Sequence, residues 1–488
     1  MATSFPLTDL PEELVAVVAS HVSSSADLSH LALASKQLNR ITTTRLYRRV
    51  YLFFGPEYQH YEIIFNFVLL FLERPQLAAY VQHLTIRGEW KRDWNAGRGT
   101  RISDLHPVLH GAISRLTANA KKKRAWADNV MGWDREEALF AVLLHTLPNL
   151  DTLDTSLKDM PGMHHRWLMR QISSPRVQLL GKLTHLGLGI PQRMGYLEVE
   201  MYKPWFELPS LKRVFLYGFN CARVHVGEAD MAEHMEYLAQ AIEGRHANAD
   251  SLSTVEHLDV REGVYAFRPL CDLISAIRGL RTFRYDNDFG IDLEHRHNVR
   301  FFSLLVSALA MHASTLTAFM VPQAMIMAFP RAEAEDMSLH RLSNLQHLQL
   351  PMGYLLPVKE VGSDFDQATA TKFIGRIPTS VRRLDLMIVS SLFEDNRCRD
   401  GLLHLLDLQA ELLPCLTELC IYSEQDIAAG REMDKALQHH GLRSGESRAF
   451  RLCVLVRIGS HVRAMPSRVE WDGIQDDTNW LLVSSEDQ

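Results

Sequence analysis

Two periodicities run along this chain. Near the amino end, Leu14, Val18 and Val22 fall four apart, the spacing that gathers apolar side chains on one face of a helix. Pro11 suits a first helical turn, where its missing N–H costs nothing, and Glu12 and Glu13 suit the positive end of the helix dipole. After the break Ser23-Ser24-Ser25, Asp27 is predicted to cap a second helix carrying Leu28, Leu31, Leu38 and Ile41. Two or three short amphipathic helices follow from this pattern.

The second periodicity is a recurring Leu-x-x-Leu-x-Leu. It stands at Val81/Leu84/Ile86, Leu183/Leu186/Leu188, Leu211/Val214/Leu216, Val255/Leu258/Val260, Leu280/Phe283/Tyr285, Leu316/Phe319/Val321, Leu345/Leu348/Leu350, Val381/Leu384/Leu386 and Leu416/Leu419/Ile421, with a weaker copy at Leu150/Leu153. Between these lie stretches of helical spacing, such as 136–146, 231–242, 269–277, 301–312 and 402–413. Strand-then-helix units repeated in this way predict an α/β fold in which each unit buries its apolar face only against its neighbours. Successive side chains of a strand alternate, so the residues between the apolar positions are predicted to line the other, open face. They include Arg213, Phe215 and Tyr217; His257, Asp259 and Arg261; Arg284 and Asp286; His347 and Gln349; Arg383, Asp385 and Met387; Glu418 and Tyr422. Arg and aromatic residues are enriched among interface anchors, so this mixture suits recognition of a protein. For any one residue, a solvated sheet face with no partner is the better explanation.

In order and identity, Leu10-Pro11-Glu12-Glu13-Leu14, then Val18 and Val22, Asp27-Leu28, Leu31, Leu33, Ser35-Lys36 and Arg40 resemble an F-box. The resemblance implies that this module binds the Skp adaptor, which joins it to a cullin and so to a ubiquitin-conjugating enzyme. It makes Leu10, Pro11, Leu14, Val18, Leu28 and Leu31 adaptor contacts or supports of that surface. The repeats behind it resemble an irregular leucine-rich-repeat solenoid, with parallel strands on one face and helices on the other. Their spacing varies, as from Leu211 to Val255 against Val255 to Leu280, and the Asn usual after Leu-x-Leu is mostly missing, with Asn220 near such a place. The chain is thus similar to F-box proteins of fungal type, and the expected organisation is an F-box over 1–50, a linker helix region over 51–80, a solenoid over 81–460 and a cap or tail over 461–488. The resemblance implies a non-catalytic substrate receptor of a ubiquitin ligase, with a protein target on the open face, here chiefly Arg213, Phe215, Tyr217, His257, Asp259, Arg261, Arg284, Asp286, Arg383 and Asp385. The alternative is a repeat scaffold whose amino-terminal helices merely cap it.

Composition changes this picture little. A chain of 488 residues, 47% hydrophobic, can bury a large core, and a net charge of -6 gives no broad basic surface for nucleic acid or an anionic membrane. The six cysteines contain no C-x-x-C and signal neither a disulfide framework nor a zinc module. The longest apolar run, 63–72, falls short of the ~20 residues of a spanning helix. Cytoplasm or nucleus is the expected location. Lys121-Lys122-Lys123-Arg124 reads as a solvated helix face more readily than as an import signal. His106 with His110 lacks the Glu of H-E-x-x-H; His164-His165, His295 with His297 and His439-His440 match no zinc spacing. Asp286-Asn287-Asp288-Phe289-Gly290 lacks the Gly and Glu of a calcium loop further on. No G-x-S-x-G, P-loop or G-x-G-x-x-G occurs, so no metal, cofactor or catalytic centre is expected.

Overall fold

A computed structural model describes residues 10–22, 24–54, 60–88, 106–117, 119–130, 135–156, 167–168, 171–172, 179–189, 204–217, 253–261, 267–286, 295–321, 338–352, 367–388, 396–423, 451–457 and 480–483. The chain divides into two units: Met1–Arg223 with Ser251–Val255, and Val224–Asp250 with Glu256–Gln488.

The first unit begins with three helices, α1 (Glu12–Ser20), α2 (Ser25–Ala34) and α3 (Lys36–Arg48). Pro11 is the N-cap of α1, and its carbonyl accepts from the Leu14 and Val15 N–H groups. Ser24 rather than Asp27 caps α2: its hydroxyl accepts from the Asp27 N–H at 3.3 Å, which leaves Asp27 in the first turn, where the helix dipole favours its charge. Ser35 caps α3 in the same way, accepting from the Leu38 N–H at 3.1 Å. The chain passes from α3 straight into β1 (Arg49–Phe54), so the segment expected as linker helices opens inside a strand. There follow α4 (His60–Glu73), α5 (Pro75–Ala78), β2 (His83–Gly88), α6 (Pro107–Leu116), α7 (Ala120–Val130), α8 (Arg135–Thr146), β3 (Thr152–Ser156), β4 (His185–Gly189) and β5 (Arg213–Tyr217). Strands β1 to β5 pair in chain order, all parallel.

The second unit repeats the scheme. Its elements are β6 (His257–Arg261), α9 (Phe267–Ser275), β7 (Thr282–Asp286), α10 (His295–Ala310), β8 (Ala318–Met320), β9 (His347–Pro351), α11 (Gln367–Ile374), β10 (Arg383–Ile388), α12 (Asn396–Leu412), β11 (Glu418–Ser423), β12 (Arg451–Arg457) and β13 (Trp480–Val483). Strands β6 to β12 pair in order and parallel, while β13 runs antiparallel along β12. Both units are therefore α/β, the first unit's described strands all parallel and the second's parallel except for β13. Parallel neighbours need a crossover between them, which the intervening helices and segments supply.

The apolar positions named from the repeat pattern are all buried. Register explains why they form a continuous core within each unit: Leu84, Leu153, Leu186 and Val214 are successive partners across β2 to β5, as are Phe283, Phe319, Leu348, Leu384 and Leu419 across β7 to β11. The helices cover this face. On α10, Phe302 packs on Phe319 with ring centroids 6.0 Å apart, and Phe319 in turn on Phe283 at 6.1 Å. In the first unit, Ile64, Val68 and Phe71 bury one stripe of α4, which packs against α6 and α8. Each Leu or Phe so buried contributes about 1.5–3 kcal/mol, and only a neighbouring rung provides the cover.

The turn before each strand has its own repeat. The carbonyls of Gln82, Asp151, Thr184, Glu256, Arg281, Thr317, Gln346 and Arg382 each accept two successive N–H groups of the next strand's start. Just before the first apolar position, a short polar side chain bonds a carbonyl of the preceding rung: Asn149 to Ala79, Ser210 to Gly181, Thr254 to Leu211, Thr315 to Leu280, Asn344 to Ser314 and Ser380 to Leu345, all between 2.6 and 2.9 Å. This ladder satisfies backbone carbonyls in the turns that lead into the strands. Asn220 itself lies outside the described residues. Among the described residues, no helix is long and apolar enough to cross a membrane.

Candidate functional site

The amino-terminal helices carry two apolar stripes. Val15 and Ala19 on α1 turn inward and join Leu28, Leu38 and the methyl of Thr42 in a small core, where the Thr42 hydroxyl is satisfied by the Leu38 carbonyl at 2.7 Å. The Arg40–Glu12 ion pair ties α3 to α1 at the surface, where it adds little. The second stripe, on α1, faces out: Leu14 is 50% exposed, Val17 54% and Val18 45%; on α2, Leu33 is 82% exposed. Such a concentration of exposed branched side chains on so small a module is unlike the scattered apolar residues of an ordinary surface. Of the six residues named from sequence, Leu14, Val18 and Pro11 lie on the outside, Leu10 and Leu31 are half-buried, and Leu28 is a core residue that supports the module rather than a contact. Val17 was missed because the four-apart spacing of Leu14, Val18 and Val22 draws attention to one stripe, whereas Val15 and Ala19 have the same spacing and are the ones the core uses.

On the first unit's open face, register places Thr85, Asp154, Gly187 and Phe215 in one row and Gly189 beside Tyr217 in the next. Arg87 donates to Asp154 Oδ2 from Nε at 3.0 Å and from Nη2 at 2.6 Å. Both side chains are largely shielded from water; burial pushes the Asp154 carboxyl above its ordinary pKa, and Arg87 beside it pulls the other way. Asp154 Oδ1 has no hydrogen-bond partner and lies against Gly187, where an added Cβ would stand 2.9 Å from it. The Tyr217 ring reaches back over Gly189, so that a Cβ there would overlap it. The ring thereby stacks on Phe215 at 5.5 Å and meets the Arg87 guanidinium at 5.5 Å. Two glycines thus make the space in which one aromatic and one ion pair bridge four strands. The linear signal was the Gly-Leu-Gly inside a Leu-x-Leu, and nothing in sequence ties it to Arg87 or Asp154.

The second unit's open face is a lattice of charges. Arg261 pairs with Asp259 at 2.9 Å and Arg284 with Asp286 at 3.5 Å, each along its own strand, because residues two apart share a face and an Arg reaches that far. The densest node is Asp385. It accepts from His347 Nε2 at 2.8 Å, from Arg383 Nε at 2.8 Å and from Arg383 Nη2 at 3.2 Å. Arg383 Nη2 also donates to the Tyr422 hydroxyl at 3.0 Å, and its Nη1 lies 3.7 Å from Glu418. Burial by itself would lower the Arg383 pKa, but the hydrogen bonds and charge of Asp385 outweigh it and the guanidinium is held charged. Burial, then the Asp385 charge, push the Tyr422 hydroxyl well up, with Arg383 opposing.

Eight of the ten residues named as target-binding are brought together in pairs, Arg261 with Asp259, Arg284 with Asp286, Arg383 with Asp385 and Phe215 with Tyr217, while His257 bonds Thr282 at 2.7 Å and Arg213 joins none of these pairs. Their exposure differs from the simple alternation expected, since Phe215, Arg284 and Asp385 are buried and Arg213, Tyr217, His257, Asp259, Arg261, Asp286 and Arg383 half-buried. Arg87, Asp154 and the centrality of His347 were not legible. Of the other sequence candidates, Lys121, Lys122 and Arg124 are exposed on the first turns of α7, and His106 is the N-cap of α6 with His110 exposed on it. The stretches at His164-His165, His439-His440 and 287–290 lie outside the described residues.

No protein-family model matches this chain, and no curated protein matches it.

Proposed function

We propose that this chain is a substrate-recognition subunit of a Skp/cullin/F-box ubiquitin ligase. Helices α1 to α3 act as the F-box and hold the Skp adaptor, and the rungs behind them, read as irregular leucine-rich repeats, present a protein target. The observation that carries the reading is the outward stripe of Leu14, Val17 and Val18 with Leu33, which the chain itself leaves exposed. A mere cap would turn its apolar residues onto the repeats; this module has its own inward stripe and a second one to spare. The open faces, with paired charges around Asp385 and the aromatic cluster at Tyr217, suit contact with another protein surface. The chain itself catalyses nothing in this reading. Its contribution is proximity, which turns the encounter between a target lysine and a charged conjugating enzyme into a tethered one at high effective concentration.

Co-expression with a Skp adaptor tests it. The full-length chain should co-purify with the adaptor, and Leu14→Asp with Val18→Asp should weaken the complex at least about 30-fold, the equivalent of an anchor of ~2 kcal/mol. Thermal melting of that variant should stay near wild type, because both side chains already face water. Leu28→Asp, by contrast, should unfold the module, so its loss of binding is uninformative. Undiminished binding by the Leu14/Val18 variant, or an adaptor that ignores the wild-type chain, removes the F-box reading and leaves the repeat scaffold.

A further inference from the structure

Cysteine spacing in the sequence suggests no pairing, but the sheet brings two cysteines together. Cys420 on β11 and Cys453 on β12 are register partners in adjacent parallel strands. Neighbouring strands lie about 4.8 Å apart, within the ~4.4–6.8 Å between Cα atoms that a disulfide spans. Partners in a parallel ladder have Cβ atoms at about the strand spacing, ~4.8 Å, slightly beyond the ~3.5–4.5 Å a relaxed disulfide prefers. A bridge here must draw the strands together by a few tenths of an ångström, and strain of that kind makes a disulfide easier to reduce.

The surroundings add to this. Cys420 is buried, and its S–H points to Glu418 Oε1 at 3.8 Å, while Glu418 lies 3.7 Å from the Arg383 guanidinium. A strand pair can open locally at less cost than the whole fold unfolds. A small oxidant can reach such a pair during opening.

We propose that Cys420 and Cys453 form a reversible disulfide across β11 and β12 when the chain meets a peroxide-class oxidant. One thiolate attacks the peroxide O–O bond and becomes a sulfenic acid, releasing one water after protonation. The second thiol attacks that sulfur, the S–O bond breaks, and a second water leaves. The two sulfurs lose two electrons and two protons, and the peroxide takes them up; a dithiol reductant reverses the exchange. The bond fixes the spacing of β11 and β12 and removes the S–H donor from Glu418, so it alters the charged node at Arg383 and Asp385. None of this depends on the ligase reading.

The test uses the full-length chain, reduced and then treated with hydrogen peroxide or, in parallel, with diamide. Remaining thiols are blocked with N-ethylmaleimide and the protein is digested without reductant. The expected product is a linked pair of peptides carrying Cys420 and Cys453, lighter by two hydrogens, abolished by dithiothreitol and at least tenfold more abundant than any other cysteine pairing. Cys415→Ser should keep it, although Cys415 is exposed nearby; Cys420→Ser and Cys453→Ser should each lose it. Oxidised wild type should also unfold at higher urea than reduced wild type, a measurement that needs no variant. Recovery of both thiols unlinked after both oxidants, linkage through Cys415 instead, or separate single-thiol adducts on Cys420 and Cys453 overturns the proposal.

Discussion

Gly189→Ala offers a test in which the sign of the effect, not only its size, is set by one neighbour. In an ordinary strand the added methyl stabilises by about 0.5–1 kcal/mol, because glycine loses the most backbone freedom on folding. At Gly189 the new Cβ would overlap the Tyr217 ring, whose far edge lies over it. The ring is the mobile party, so the methyl evicts it. Eviction forfeits the stack on Phe215, about 0.5–1.5 kcal/mol, and the contact with Arg87, about 0.5–1 kcal/mol at a half-exposed site. Subtracting the methyl's gain leaves a net destabilisation of roughly 1 kcal/mol. In a Tyr217→Ala background there is no ring to evict, and the same substitution should stabilise by about 0.5 kcal/mol or more. Urea denaturation of the four proteins of this cycle reads the difference, an opposite displacement of the midpoint by some tenths of a molar in the two backgrounds. An equal cost of Gly189→Ala in both would refute the account of why two glycines stand in β4.

Two further predictions concern charges. Asp385→Asn should cost about 2 kcal/mol in urea denaturation, less than the ~3–5 kcal/mol for a wholly buried pair because the Arg383 side chain is 38% exposed and can be solvated; a change below ~0.5 kcal/mol would show that the node adds nothing to stability. His312 is buried and held below its ordinary pKa, burial outweighing the opposing bond to the Ile274 carbonyl at 3.0 Å. Its folded pKa is thus lowered, so the stability it contributes is present above the unfolded value of about 6.5 and lost as pH falls through the folded one. Stability measured between pH 7 and 5 should fall less steeply in His312→Gln than in wild type, and parallel profiles would sink this assignment.

Much of the architecture could be read from residues alone. A rung needs apolar side chains at three fixed places and little else, so Leu345/Leu348/Leu350 or Val381/Leu384/Leu386 declare themselves wherever they occur. Three strands escaped: β1 starts inside the stretch read as the F-box, β12 lies within the expected solenoid but carries no Leu-x-x-Leu-x-Leu, and β13 lies in the expected cap or tail. The ladder of Asn149, Ser210, Thr254, Thr315, Asn344 and Ser380 was visible in retrospect as a short polar residue before each first apolar position, though its purpose was not. At the amino end the sequence showed that helices form but could not say which of two four-apart stripes, Val15 with Ala19 or Leu14 with Val18, would be used inside.

What the linear order settled was therefore local: periodicity decides strand or helix and which positions can be buried, because those follow from side-chain spacing along one element. Which residues meet across elements was decided only by register. Arg87 finds Asp154, His347 finds Asp385, Tyr217 finds Gly189 and Cys420 pairs in register with Cys453 because parallel strands bring distant segments within a few ångströms, and which copies of the pattern become neighbours leaves no mark in any single copy.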